Sequence, residues 1–267
     1  MSATQPLPML QPTRPPEPRP GPVSTPSQLE SGEVAPSGRR VYVETYGCQM
    51  NVADTELIST ILTAAGFSCV DAPQDADVIL INTCAVREKA EERVIGRAAQ
   101  LSGLRAQNPS LTIGILGCMA QHLAKTLPQR APFVDLVMGP DSYQRLPALL
   151  DQTSNEALLD VRLNRTENYV GIDAARKSGT NAWITIIRGC DKFCTFCVVP
   201  YVRGRERSLE SAEVLRQVRQ SAARGFREVT LLGQTVNSYD DGDVDFADLL
   251  RSVAAVDGIE RVRFTSP

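Results

Sequence analysis

The feature that most constrains the fold is a regular alternation of short apolar runs with longer segments of helical periodicity, which begins at Arg40. Such alternation is typical of βαβ units, whose strands form a parallel sheet, so we expect an α/β fold. Strands are predicted at residues 41–46, 78–83, 111–117 and 134–138, with a further possible strand at 157–163. Helices are predicted at residues 52–65, 89–107, 120–127 and 143–150.

A second series of the same kind starts after residue 180. Strands are predicted at 183–187, 228–232 and 261–264, and helices at 212–224 and 246–256. Three strands are too few for a closed eight-stranded βα barrel, which needs roughly 250 residues. We therefore expect the first half of a partial βα barrel.

The first 38 residues differ in composition from the rest. Ten of the 18 prolines lie between Pro6 and Pro36, and no aromatic residue occurs before Tyr42. Such a segment cannot bury enough apolar surface to offset the entropy of ordering it. The predicted organisation is a disordered Pro-rich tail at 1–38, an α/β domain at 39–150, a connector at 151–180 and an incomplete barrel at 181–267.

The charge is nearly balanced, with 28 Lys and Arg against 31 Asp and Glu, which gives a formal charge of −3. This balance argues against binding nucleic acid through bulk charge alone, although a local basic patch is allowed. No run approaches the roughly 18 apolar residues of a membrane helix, and the N-terminus lacks a charged start followed by an apolar run. We expect a cytoplasmic monomer without a membrane partner.

Three cysteines occupy equivalent positions: Cys48, Cys84 and Cys118, called here the upstream cysteines, each follow a predicted strand and precede a predicted helix. In a parallel sheet these strand ends lie along one edge, where open α/β folds bind their ligands. A single cysteine at such a place would be interpreted as a core residue. Three at the same corner of successive units predict thiols that converge on one spot.

Three further cysteines, Cys190, Cys194 and Cys197, form a CxxxCxxC loop after the strand predicted at 183–187. These loop cysteines favour an iron–sulfur cluster, because structural zinc sites have four ligands, usually in two separated pairs. A zinc-bound structural module remains the alternative. Three thiols leave one iron of a four-iron cluster open, and an open position can bind a small cofactor. Phe196 would offer an apolar face to an adenine.

The CxxxCxxC loop together with the upstream cysteines resembles the radical S-adenosylmethionine methylthiotransferase family, in particular its tRNA branch. The resemblance extends over roughly residues 40–267. The motifs that carry it are TYGCQMN at 45–51, NTC at 82–84, GCMA at 117–120, CVVPY at 197–201 and LGQ at 232–234.

The resemblance implies two [4Fe-4S] clusters. The loop cysteines would hold the one whose free iron chelates S-adenosylmethionine, and the upstream cysteines would hold an auxiliary cluster that presents the sulfur. A 5′-deoxyadenosyl radical would then abstract hydrogen from carbon 2 of N(6)-isopentenyl-adenosine next to the anticodon of a tRNA. Phe196, Gln234 and Asn237 would contact S-adenosylmethionine, and no catalytic residue beyond the cluster ligands is expected.

The segment after the loop contains three arginines, Arg203, Arg205 and Arg207, which would contact RNA or else form a solvated surface loop. The family's radical domain is a six-unit partial barrel followed by a small RNA-binding β-barrel. We therefore expect this chain to be a fragment that ends inside the radical domain and that lacks activity alone. The branch that modifies an aspartate of a ribosomal protein is the alternative, and a non-catalytic iron–sulfur scaffold is the alternative of another class.

Overall fold

The structure, a computed structural model, describes residues 38–85, 88–152, 157–174, 176 and 179–265. The predicted Pro-rich tail lies outside the described residues except for Gly38. Eleven strands occur in these ranges: β1 Arg40–Tyr46, β2 Ser68–Cys69, β3 Val78–Thr83, β4 Thr112–Gly117, β5 Leu136–Met138, β6 Leu158–Asp160, β7 Asn181–Thr185, β8 Ile187–Arg188, β9 Arg207–Ser208, β10 Glu228–Leu232 and β11 Arg261–Phe264.

Eight α-helices connect them within the described ranges. Their bounds are α1 Gln49–Ala64, α2 Glu88–Ser102, α3 Cys118–His122, α4 Leu127–Arg130, α5 Leu146–Leu150, α6 Val199–Val202, α7 Ser211–Ala223 and α8 Phe246–Ala254.

The first six strands form one fully parallel sheet in the order β2-β1-β3-β4-β5-β6. Every residue of the central strand β3 is buried, which explains why it reads as a continuous apolar run with only one interior amide. Apolar clusters lie on both faces of the sheet, with α1 and α5 covering one face and α2 to α4 the other. This arrangement brings the C-terminal ends of β1, β3 and β4 side by side.

The second series forms a separate three-stranded parallel sheet in the order β11-β10-β7, and β8 pairs with β9 in an antiparallel ribbon. Helices α7 and α8 cover this sheet, and their apolar sides form its core with Val229 and Leu231. The predicted α/β class and the parallel pairing of both series are confirmed. The strands predicted at 78–83, 228–232 and 261–264 have the observed bounds of β3, β10 and β11.

The structure differs from the predicted elements in several places. Strand β2, Ser68–Cys69, pairs with the start of β1, and Cys69 was expected in a strand whose bounds and partner the sequence did not indicate. The strand predicted at 183–187 is divided into β7 and β8. The possible strand in the predicted connector is β6, which pairs with β5 and so belongs to the first sheet. The helix predicted at 120–127 is divided into α3 and α4, and α4 has Pro128 in its first turn. The proposed boundary between domain and connector stays a prediction.

Candidate functional site

The upstream cysteines lie at the C-terminal ends of adjacent strands. Cys48 is the N-cap of α1 after β1, Cys84 directly follows β3, and Cys118 is the first residue of α3 after β4. Because β1, β3 and β4 are neighbours in the sheet, the three thiols converge, as the spacing predicts. Cys118 is buried, Cys84 is half-buried and Cys48 is exposed, so the group opens outward from the sheet.

Two glycines make room for this approach. Gly47 has φ +137°, and a side-chain carbon there would lie 2.7 Å from Cβ of Cys84. Gly117 has φ +88°, and the same carbon there would lie 2.5 Å from Oδ1 of Asn82. Real Cβ contacts are never this short, and L-residues rarely adopt these φ values. Glycine before Cys48 and before Cys118 therefore allows the thiols to sit this close to their neighbours.

Two buried asparagines fix the backbone beneath the upstream cysteines. Asn82 donates through Nδ2 to the carbonyl of Asn51 at 2.9 Å and to Oγ1 of Thr55 at 3.0 Å. Asn51 returns a hydrogen bond from Nδ2 to Oδ1 of Asn82 at 3.3 Å and accepts one from Cys48 Sγ at 3.4 Å. Both amides are fully buried, so their mutual bonds satisfy groups that would otherwise be costly. A sign of this structural role in the sequence is the amide of Asn82 inside the otherwise apolar run of β3.

The pKa values of Cys48 and Cys118 are shifted in opposite directions. A hydrogen bond with Cys84 is the main cause that lowers the pKa of Cys48 to about 5, against the opposing effect of burial. Burial raises the pKa of Cys118, and the positive charge of Arg203 acts in the opposite direction. The site therefore favours an anionic sulfur at its open end, whereas at its closed end burial outweighs the charge of Arg203 and favours the neutral thiol.

The loop cysteines lie between β8 and α6. The amide of Cys190 donates to the carbonyl of Gly204 at 3.2 Å, and the amide of Cys197 donates to the carbonyl of Cys194 at 2.9 Å. Cys190 is buried, with Sγ 3.5 Å from Oγ1 of Thr235, whereas Cys194 is exposed. Phe196 is 95% exposed, so it contributes little to the core and is free to contact a ligand.

A cavity of about 200 Å³ lies between the upstream cysteines and the segment that follows the loop cysteines, and its described lining includes none of the loop cysteines themselves. All three upstream cysteines line it from the first sheet, and residues that follow Cys197 and the end of β10 line it from the other side. Its lining consists of Cys48, Gln49, Met50, Cys84, Ala85, Cys118, Val198, Val199, Val202, Arg203, Gly233, Gln234 and Thr265.

Of the residues predicted to contact a small cofactor, Gln234 lines this cavity, whereas Phe196 and Asn237 do not. Oε1 of Gln234 is buried and has no hydrogen-bond partner among the described residues. Asn237 is exposed in a short 3₁₀ helix, Val236–Ser238. A free amide oxygen that faces the cavity is available to a bound molecule, so Gln234 is the better supported of the two polar candidates.

The arginines after the loop have different surroundings. Arg203 and Arg207 are only 4% and 9% exposed, and they bind Asp54 and Asp141 through Nη2 at 2.7 Å and 2.9 Å. This burial corrects the prediction that Arg203 and Arg207 contact RNA. Their pattern in the sequence is that of a charged surface loop, and only the tertiary fold shows that they point inward. For Arg205, which is exposed and paired with Asp191 at 2.6 Å, RNA contact stays a prediction.

Arg203 connects the buried ion pairs to the upstream cysteines. Its Nε donates to Sγ of Cys118 at 3.1 Å, and Arg188 donates to the second oxygen of Asp54 at 3.0 Å. Burial alone would raise the pKa of Asp54, but the two arginines outweigh it and hold that pKa below its usual value. Asp54 is therefore a buried carboxylate shared between Arg188 and Arg203.

Within the described ranges, no three His, Cys, Asp or Glu side chains are close enough to hold a single metal ion. The three upstream cysteines instead line the cavity described above. In the same part of the chain, none of the helices has the length and apolar character needed to cross a bilayer.

Two family models match the chain. Residues 40–139 match the family described as "Uncharacterized protein family UPF0004", and residues 184–267 match the "Radical SAM superfamily".

Two solved structures have a fold similar to that of this chain. The methyltransferase TsrM from Kitasatospora setae, a radical S-adenosylmethionine enzyme, superposes with a TM-score of 0.55 at 14% identity over 80% of this chain and 50% of its own. The cobalamin-dependent radical enzyme OxsB gives 0.51 at 13% identity over 85% and 38%. The match at residues 184–267 places this part of the chain in the radical S-adenosylmethionine superfamily, which implies a [4Fe-4S] cluster and S-adenosylmethionine.

Within that superfamily the sequence is similar to proteins named tRNA-2-methylthio-N(6)-dimethylallyladenosine synthase. The protein of that name from Chloroherpeton thalassium is 50% identical over 85% of this chain and 51% of its own length. The proteins from Chlorobium luteolum and Yersinia pestis are 46% and 43% identical over similar shares. The chain spans about half the length of these curated relatives.

Proposed function

We propose that this chain is part of a tRNA methylthiotransferase that adds a methylthio group to carbon 2 of N(6)-isopentenyl-adenosine next to the anticodon. The names of the relatives support the substrate, and the family supports radical chemistry with S-adenosylmethionine. The observation that carries the proposal is the shared cavity, because Cys48, Cys84 and Cys118 face it together with residues that directly follow Cys197.

The upstream cysteines fit an auxiliary [4Fe-4S] cluster. Three thiols with no competing carboxylate or imidazole in the cavity lining form a soft donor set, which suits iron–sulfur clusters. The ligands of such a cluster bind different irons, so they need not meet at one point, and the three upstream cysteines line one cavity. Three donors would leave one iron open toward the cavity.

The loop cysteines fit the second cluster, which makes two in total. Cys190 is anchored by its backbone, whereas the exposed Cys194 and Phe196 lie on the solvent side of the loop and are accessible to a cofactor. When bound, the cluster and S-adenosylmethionine would supply the one-electron chemistry that starts a radical reaction. We propose Phe196, Gln234 and Asn237 as contacts of S-adenosylmethionine.

The residues of this chain would bind the reacting molecules in the cavity and shield them from water. Val198, Val199 and Val202 form an apolar wall of the cavity, which limits the access of water to reactive groups. Oε1 of Gln234 can accept a hydrogen bond from a bound molecule. These residues lie on the segment that follows the loop and at the end of β10, so the same elements that position the loop also shape the cavity.

The organisation proposed for the whole chain remains the one expected from the sequence. It has a Pro-rich tail at 1–38, an α/β domain at 39–150, a connector at 151–180 and part of a radical barrel at 181–267. We propose that the protein works in the cytoplasm as a monomer, with a tRNA carrying isopentenyl-adenosine as its substrate and with an electron donor of unknown identity. Exposed Arg205 is the remaining candidate for contact with RNA.

The first test is anaerobic reconstitution of the 267-residue chain with iron and sulfide. Two [4Fe-4S] clusters predict about eight iron atoms per chain. Substituting either the three upstream cysteines or the three loop cysteines should remove about half of them. Cys69→Ala is the matched control, because Cys69 is an exposed thiol on the edge strand β2 and should leave the iron content unchanged. Zinc bound in place of iron would contradict the proposal and support the structural zinc module.

The second test adds dithionite and S-adenosylmethionine and measures 5′-deoxyadenosine. Cys194→Ala should abolish the product, and Cys69→Ala should not. Iron binding without any 5′-deoxyadenosine would instead favour a non-catalytic iron–sulfur scaffold. The substrate is tested by offering isopentenylated tRNA beside the ribosomal protein, and a methylthio group found only on the latter would contradict the tRNA assignment.

A further inference from the structure

Five charged side chains are buried together behind Cys118. Each is less than 10% exposed, and they come from both halves of the chain, from α1, from the turn after β5, from β8 and β9, and from the end of α6. They are Asp54, Asp141, Arg188, Arg203 and Arg207.

The ion pairs of this buried group do not balance. Arg207 pairs with Asp141 at 2.9 Å, whereas Arg188 and Arg203 share the single carboxylate of Asp54 at 3.0 Å and 2.7 Å. Arginine stays protonated in proteins, so three guanidinium groups against two carboxylates leave one positive charge in excess. An unbalanced buried charge is costly and requires a further partner.

The positive charge of Arg188 is offset further than that of Arg203. The guanidinium of Arg188 also lies over the ring of Tyr169, 4.8 Å from its centroid, which offsets part of its charge. Arg203 instead directs Nε at Sγ of Cys118, 3.1 Å away. A donor at this distance favours an electron-rich sulfur, as a thiolate bound to iron would be.

We infer that Arg203 is a positioning residue for Cys118, whose cluster-bound sulfur balances the buried charge, and that Asp54 and Arg188 hold Arg203 in this orientation. The inference rests on the proposed auxiliary cluster. Positive charge and hydrogen bonds at a ligand sulfur stabilise the reduced form of a cluster and so raise its reduction potential. Arg203 therefore tunes the auxiliary cluster as well as orienting its ligand.

The same geometry couples the two cysteine sites. Asp54 lies six residues after Cys48 on α1, and Arg203 lies six residues after Cys197 at the end of α6. The hydrogen bond between them thus joins the segment that carries an upstream cysteine to the segment that carries a loop cysteine. A purely structural ion pair would stabilise the fold but would leave the potential of a nearby cluster unchanged.

The test measures the auxiliary cluster alone. In a parent variant with Cys190, Cys194 and Cys197 changed to Ala, only the upstream cysteines can bind a cluster, and its midpoint potential is titrated by electron paramagnetic resonance. Arg203→Met should shift the potential to a more negative value. This variant leaves two arginines with two aspartates in the buried group, so its charges balance and it should fold.

Two further variants complete the design. Arg203→Lys keeps the charge, but it replaces with one ammonium the two separate nitrogens, Nε and Nη2, that bind Cys118 and Asp54, so a smaller shift in the same direction is expected. Arg205→Met removes an exposed arginine two residues away and should not change the potential. An unchanged potential in the folded Arg203 variants would overturn the inference. A parent variant that binds no iron would overturn the proposed auxiliary cluster and the inference with it.

Discussion

The side chain of Asn82 lies directly against the backbone of Gly117, so that a β-carbon on Gly117 would come within 2.5 Å of the Asn82 amide oxygen. Asn82 is the penultimate residue of β3 and lies two residues before Cys84, and Gly117 immediately precedes Cys118. The contact therefore fixes the separation of two thiols through a glycine and an amide that have no reactivity of their own.

Gly117→Ala should destabilise the protein and loosen the upstream site. The matched control is Gly225→Ala, because Gly225 has φ +89° against +88° for Gly117 but no described atom near its missing side chain. Gly225→Ala should lower the free energy of unfolding only by the backbone cost of an L-residue at a positive φ, about 1–2 kcal/mol. At Gly117 the clash and a ψ of −154°, which is essentially restricted to glycine, should together add about 1–3 kcal/mol in urea unfolding. Equal losses in both variants would show that Asn82 moves freely.

Asp54→Asn should cost far more stability than the loss of an exposed ion pair. The substitution leaves Arg188 and Arg203 buried without a carboxylate, which typically costs about 3–5 kcal/mol in the free energy of unfolding. Asp191→Asn is the control, because Asp191 pairs with the exposed Arg205 and should cost no more than about 1 kcal/mol. Urea unfolding of the two variants compares these values, and similar losses would contradict a buried network.

The sequence predicted the positions of the upstream cysteines well, because their placement follows from local rules. Cys48, Cys84 and Cys118 each follow the end of a strand, and parallel pairing brings those strand ends to one edge. The bounds of β3, β10 and β11 were predicted without error, since each is a continuous β-type run bounded by turn residues.

The contacts behind the cysteines could not be predicted in the same way. Asp54 and Arg203 are 149 residues apart, and nothing in the local pattern around either residue indicates its partner. Arg203, Arg205 and Arg207 look alike in the sequence, yet the fold buries the first and third and exposes the second. Burial of a charge is decided by which elements pack over it, which is a property of the tertiary structure.

Phe196→Ala should leave stability unchanged and weaken the binding of S-adenosylmethionine. The ring is 95% exposed, so its removal should change the free energy of unfolding by less than about 0.5 kcal/mol. Loss of an aromatic contact with adenine is worth about 1 kcal/mol, or roughly a fivefold weaker affinity of the reconstituted chain, measured by equilibrium dialysis. Val170→Ala removes another exposed apolar side chain and serves as the control. Unchanged affinity in Phe196→Ala would remove Phe196 from the cofactor contacts.

Glu56→Gln should make the protein more stable than wild type at alkaline pH but not at acid pH. Burial raises the pKa of Glu56 from its usual 4.5 to about 7, and Arg176 only partly opposes this. A raised carboxyl pKa favours the folded state fully below the unfolded value of 4.5, and that contribution is lost as pH rises through about 7. The side chain is partly exposed, so the expected difference at pH 8 is about 1–2 kcal/mol.

Urea unfolding of wild type and Glu56→Gln at pH 5 and pH 8 measures this difference. Glu92→Gln is the control, because Glu92 is 65% exposed on α2 and its substitution should have the same effect at both pH values. If Glu56→Gln were less stable than wild type at pH 8, the attraction between the charges of Glu56 and Arg176 would outweigh the cost of burying the carboxylate.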